Sequence, residues 1–281
     1  MPVPRVIWSY WESDSESLPP IIEFCAESWV RNSGISEIRT LTPLTIDSYL
    51  VDSDLPRFFW DLPPVKRANA VRLALLTKYG GVWMDAGVAV SGPIDEFVDW
   101  ATQSSGFFAF QGISRDRILT TWFLAANPEN TFVAEWSRRY NKFFSRRKLH
   151  ETHSPTKSPS RLATHTLYLL KNSVLGGSDA RTARWALWPA SSLPIYPYFI
   201  MHYIAGAMVR QPVFKSIFDA MRFVGASKSL KIRSIFNQGR VEAQVLGEIA
   251  GDVPIHKLDG YRSYSPGELR LLRKVFWGDP Q

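Results

Sequence analysis

The sequence predicts an α/β fold, a mostly parallel sheet flanked by helices. Three observations carry that expectation. β-branched and aromatic runs alternate with helical patterns over the first half of the chain. The clearest helix pattern runs through a Gly-Gly stop directly into a strand. Neither an internal repeat nor an evident linker breaks the alternation, as a layered α/β domain requires.

Residues 3–11 (VPRVIWSYW) read as a buried first strand. Residues 13–20 are polar, end in Pro-Pro and read as a loop. Residues 21–31 form a helix with Ile21, Ile22, Cys25, Ser28 and Trp29 toward one side, which places Cys25 in the core. A short strand at 37–42 and a helical stretch at 46–50 follow. Pro63-Pro64 then opens the clearest helix, about 65–79. Its apolar seam is Ala68, Val71, Leu75 and Tyr79, spaced by three and four residues. Gly80-Gly81 stops it, and Val82-Trp83-Met84 starts a strand with Asp85 near its end. Residues 106–111 (GFFAFQ) read as a strand, 122–126 as a further apolar stretch and 130–144 as a helix. Residues 148–160 read as an exposed loop. Beyond it the pattern is mixed, with helices expected near 162–171 and 213–223.

Composition bounds the function classes. With 281 residues, 45% hydrophobic and 21% charged, the chain can bury a sizeable core, which excludes disordered and low-complexity classes. One cysteine excludes a disulfide framework and a Cys-ligated structural zinc. The longest apolar run, 196–209, is too short to span a bilayer and carries His202. No secretory leader is expected, so the cytoplasm is the default compartment. Charge is uneven. Residues 1–100 hold 8 basic and 14 acidic residues, and the remainder 25 and 12. Two stretches concentrate the excess, eight basic residues against one acid in 138–161 and seven against one in 210–240. This is either a solvated basic surface or a face for an anionic partner such as membrane phospholipid or a phosphorylated substrate. No nucleic-acid-binding signature accompanies the charge, so no nucleic acid is expected.

The richest segment is 67–90 (RANAVRLALLTKYGGVWMDAGVAV). Ligands of open α/β sheets bind beyond the carboxyl ends of strands, so Asp85 is expected in a crevice rather than in the core. Gly80 and Gly81 permit the sharp turn before it. Asn69 and Arg72 share a helix face. Arg72 suits phosphate or sugar hydroxyls and Asn69 suits hydroxyls; a plain Arg72–Asp85 ion pair is the alternative. Eleven Trp are more than a small core needs. Trp8, Trp11 and Trp83 are candidates for stacking on a base or sugar, with core packing the commoner use.

The pieces 3–11, 25–29 (CAESW), 67–88, 106–110 (GFFAF) and 122–126 (WFLAA) give the chain a resemblance over residues 3–136. Residues 198–203 (YFIMHY) offer one more match. The chain resembles the capsular polysaccharide synthesis protein family, glycosyltransferases related to the wider group with a DxD sugar-binding region. The resemblance implies a single GT-A (Rossmann-like) domain over 1–281, with 1–136 binding the nucleotide-sugar and 137–281 on the acceptor side. It implies sugar transfer to a growing surface polysaccharide or its lipid-linked precursor, with retention of configuration. Asp85 and Arg72 are then the catalytic candidates. Asn69, Tyr10, Trp11, Gly80, Gly81, Trp83 and Gly87 are the substrate-binding ones, Tyr10 and Trp11 lying where related folds seat the base. The family pattern also implies a divalent cation, Mn2+ or Mg2+, between paired carboxylates and the diphosphate. Here the sequence departs from it. Asp85-Ala86-Gly87 lacks the second carboxylate, and Asn69 stands where relatives often carry Asp. Asp85 with His202 is one metal set to consider. A weakly bound or dispensable cation is another outcome, and an inactive scaffold that only binds sugar is a third. Peripheral contact with an anionic membrane at its inner face would employ the basic stretches.

Overall fold

The computed structural model describes residues 2–12, 18–34, 36–114, 117–145, 199–239, 243–260 and 262–278. The expected loop at 148–160, the helix at 162–171 and Tyr198 lie outside the described residues.

Strands β1 (Val6–Tyr10), β2 (Glu37–Leu41), β3 (Gly81–Met84), β5 (Phe107–Ser114) and β6 (Arg117–Ala126) form a sheet in the order β2-β1-β3-β6-β5. β1 pairs in parallel with β2 and β3, while β6 runs antiparallel to both its neighbours. Four of the five strands therefore point one way, and the mostly parallel α/β sheet is present with one reversed strand. Helix α1 (Pro20–Asn32) crosses from β1 to β2, and α2 (Pro64–Tyr79) leads into β3. The expected helix at 46–50 is a single 3-10 turn, Ile46–Ser48.

Period-2 alternation in β5 fixes the two layers. Phe107 meets Phe132 of α4 (Thr131–Ser145), while Phe108 and Phe110 meet Phe97 of α3 (Ile94–Thr102), so α3 and α4 cover opposite faces. The apolar run containing His202 is α5 (Ile200–Met208), packed on β6 and α4. It is a core helix.

A second hydrophobic cluster lies beside the first. A two-stranded sheet joins β4 (Val88–Val90) to β7 (Ile255–Lys257), antiparallel, with Val88 opposite Lys257. Around it pack α1, α7 (Ala226–Gln238), α8 (Ala243–Asp252) and α9 (Pro266–Trp277), through Phe24, Cys25, Phe236, Leu246 and Leu272. Helix α6 (Pro212–Ala220) stands against α4. Within this cluster α1 packs on β4 and on α9, and β4 on β7, so parts of the first and last thirds of the chain share one core. The three-residue turn 85–87 links β3 of one sheet to β4 of the other, so Asp85 sits at their joint.

Candidate functional site

Asp85 follows the last residue of β3, at the carboxyl edge of the sheet. Because α2 runs straight back into β3, the first turns of α2 reach the same edge. Backbone contacts fix the turn: Asp85 N–H donates to Trp122 O (2.9 Å), and Val88 N–H to Asp85 O (2.9 Å).

The carboxylate is held from beneath. Asp85 Oδ1 accepts from Arg72 Nη2 at 2.6 Å and from Trp83 Nε1 at 2.9 Å. Arg72 Nη1 donates to Asn69 Oδ1 (3.0 Å), and the guanidinium lies 4.8 Å from the Trp83 ring centre. Lys257 Nζ, at the end of β7, stands 3.5 Å from Asp85 Oδ2. The Arg72 side chain is 4% exposed and that of Asp85 29%, so the carboxylate is the part that solvent reaches. Burial would raise the Asp85 carboxyl, but Arg72, then Lys257 and the Trp83 indole, outweigh it and hold it below the usual carboxylate range. Burial lowers Arg72 from its ordinary value against the opposing pull of Asp85.

The geometry places the other candidate residues as follows. Arg72 and Asn69 are buried under Asp85, so they position the carboxylate rather than line the surface. Trp83 is core; strand alternation puts it on the face of Asp85, where its indole is a donor and not a stacking platform. Gly80 and Gly81 lie at the opposite end of β3, roughly 13 Å of extended chain from Asp85. Their work is the turn: with φ at +94°, a Cβ on Gly81 would come within 2.6 Å of Val6. Tyr10 is buried in β1, and Trp11 is half-buried against the second cluster. Trp8 is core, its indole donating to Gly80 O at 2.9 Å. Gly87 does border the site, for its Cβ would lie 3.3 Å from Lys257 Nζ.

The described residues around Asp85 do not by themselves make a site for a divalent cation. Such an ion needs several oxygen ligands, and among the described residues no three His, Cys, Asp or Glu converge. Both oxygens of Asp85 face cationic groups. His202 is engaged elsewhere, its Nε2 3.5 Å from Thr121 Oγ1 and its ring edge-on to Phe199.

Lys257 is the neighbour that sequence reasoning missed. The same edge also carries Glu12, ion-paired at 2.5 Å to Arg67, and half-exposed Trp60 near Arg67. Some of the basic residues are ion-paired: Lys215 with Asp219, Lys228 with Asp252, Arg233 with Asp259, and Arg138 and Arg139 with Glu135. Among the described residues no helix is long and apolar enough to cross a membrane.

Known proteins resemble parts of this chain. "O-glycosyltransferase braB" of Annulohypoxylon truncatum is 24% identical over 157 residues, 49% of this chain and 37% of that protein. "O-glycosyltransferase PaGT" of Phomopsis amygdali is 28% identical over 138 residues, 42% and 34% of the respective lengths. The alignments thus span little more than a third of these curated relatives. A looser likeness is to the solved structure "PaToxG Glycosyltransferase", with a TM-score of 0.41 and 12% identity over 79% of this chain and 88% of that one. Residues 2–153, just over half the chain and inclusive of β1, α2, β3 and Asp85, match the family described as "Capsular polysaccharide synthesis protein", and the chain belongs to that family.

Proposed function

We propose that the protein is a glycosyltransferase of GT-A type, moving a sugar from a nucleotide-sugar to a growing surface polysaccharide or its lipid-linked precursor. The observation that carries this reading is the ionised, part-exposed Asp85 at the carboxyl end of β3, inside the family-matched region. In this reading Asp85 accepts hydrogen bonds from hydroxyls of the donor sugar. Arg72, Asn69 and Trp83 hold the carboxylate in one orientation, which lowers the cost of ordering it when substrate arrives. Transfer proceeds with retention, so no dedicated carboxylate base is required. A single domain combines donor and acceptor sites, and it works on the cytoplasmic side.

The membrane part of the proposal falls to what ion pairing leaves over. Arg222 lies 5.4 Å from the ring centre of Trp100, and Trp100 and Phe223 are exposed. Aromatic rings beside a basic residue suit the interface of an anionic bilayer. Failure to sediment with anionic liposomes at low salt would remove this part alone.

A thermal-shift screen against nucleotide-sugars and free nucleotides tests the main reading. A ligand at 100 times its Kd stabilises the fold by about 2.7 kcal/mol. Stabilisation by one nucleotide class, with less of it in Asp85→Asn, is expected. A folded protein that responds to no donor is an inactive scaffold at most.

A further inference from the structure

We infer that Lys257 is a ligand for the diphosphate of the donor, standing where a divalent cation would otherwise serve, so that donor binding needs no metal. The inference rests on the glycosyltransferase reading above and concerns how that site holds its substrate.

Charge is the first argument. Arg72, Lys257 and Asp85 place two cationic groups and one carboxylate together. Such a group attracts an anion, and a divalent ion at Asp85 would meet an ammonium 3.5 Å from Oδ2 and a guanidinium 2.6 Å from Oδ1. A diphosphate meets the opposite situation.

Availability is the second. An ammonium has three donors. The ion-pair contact of Lys257, 3.5 Å to Asp85, is long for a hydrogen bond and leaves donor capacity unspent. The side chain is 18% exposed, so it is anchored yet reachable. Arg72 is too buried to play this part.

Construction is the third. Lys257 is fixed by its pairing with Val88 and by Leu258 N–H donating to Gly87 O at 2.9 Å. Gly87 clears the space for the ammonium, since an added Cβ there would lie 3.3 Å from Nζ. In the order Asp85-Ala86-Gly87, a side chain at the third position would therefore compete with Lys257 for room. Neither residue explains the other until β7 is paired with β4.

Isothermal titration with uridine, guanosine and thymidine diphosphates, in EDTA and in Mn2+, tests the inference. The preferred diphosphate should bind with a Kd that differs less than about twofold between the two buffers. Lys257→Met should weaken it by at least about tenfold, the scale of one charge-assisted hydrogen bond, and Lys257→Arg should recover most of the loss. Gly87→Ala, which crowds the ammonium without removing it, should weaken binding by an intermediate factor. Binding that vanishes in EDTA and returns with Mn2+, or Lys257→Met binding like the parent, overturns the inference and leaves the glycosyltransferase reading intact. The metal comparison uses the unaltered protein, so it stands even if a variant misfolds. A folded protein that binds no diphosphate in either buffer overturns the reading and the inference together.

Discussion

Removing the Asp85 carboxylate should cost more stability than removing its partner, although Asp85 is the more exposed of the two. Asp85→Ala strands the Arg72 guanidinium at 4% exposure with Asn69 Oδ1 as its remaining oxygen partner among the described residues. An arginine cannot escape by losing its proton. Breaking a buried pair in this way typically costs about 3–5 kcal/mol. Water can enter beside Asp85, so the expected loss is roughly 2–4 kcal/mol, a large share of an ordinary fold's stability. Arg72→Met leaves Asp85 with Trp83 Nε1, Lys257 and solvent, and its charge penalty should be about 1–2 kcal/mol. The double variant should be more stable than Asp85→Ala alone, giving a coupling on the order of 2 kcal/mol. Urea melts followed by circular dichroism measure all four proteins. Additive single effects, or an Asp85→Ala loss below about 0.5 kcal/mol, would refute the claim that Arg72 is a buried cation neutralised by Asp85.

Three further outcomes follow from other parts of the fold. His256 is fully buried, with Nε2 2.9 Å from Ser91 Oγ, and burial pulls it down to about 4. Its folded value lies below the unfolded value near 6.5, so its contribution is complete above that pH and is lost as pH falls toward 4. About 2–3 kcal/mol should disappear between pH 7 and pH 4.5, and His256→Phe should flatten that slope in pH-dependent melts. Burial pushes the Cys25 thiol up to about 12, so the folded protein should resist iodoacetamide at pH 8 and react at once in urea. Gly81→Ala forces a positive φ on a residue whose Cβ would meet Val6, and should cost about 2 kcal/mol or more by thermal melting.

The segment through α2 and β3 was legible because its seam repeats at helical spacing and two glycines end it. Asp85 was legible for a related reason: a polar residue just past a buried parallel strand has only the sheet edge to occupy. Trp83 carried a readable signal too, since period 2 places it on the face of Asp85 and indole needs an acceptor when buried. Nearness in sequence is not nearness in space for Gly80 and Gly81, because the extended strand β3 separates them from Asp85 by its own length. Helix α3 shows an Ile94, Val98, Ala101 repeat that the sequence reading left unassigned. Lys257 was out of reach. It comes to Asp85 through the pairing of two three-residue strands far apart in the chain, and so short a strand leaves almost no periodic trace. The basic excess of the second half was visible as a sum, whereas which of its basic residues are paired, as Lys215, Lys228 and Arg233 are with Asp219, Asp252 and Asp259, depends on contacts.

The most direct test of the central claim, that Asp85 holds a nucleotide-sugar for transfer, is slow donor hydrolysis without acceptor. Chromatography of a nucleotide-sugar panel would read the release of nucleoside diphosphate by the parent protein and by Asp85→Asn. One donor class hydrolysed by the parent, and at least about 100-fold more slowly by Asp85→Asn, is the expected result. Equal rates in the two proteins, or no release from any donor by a folded parent, would contradict it.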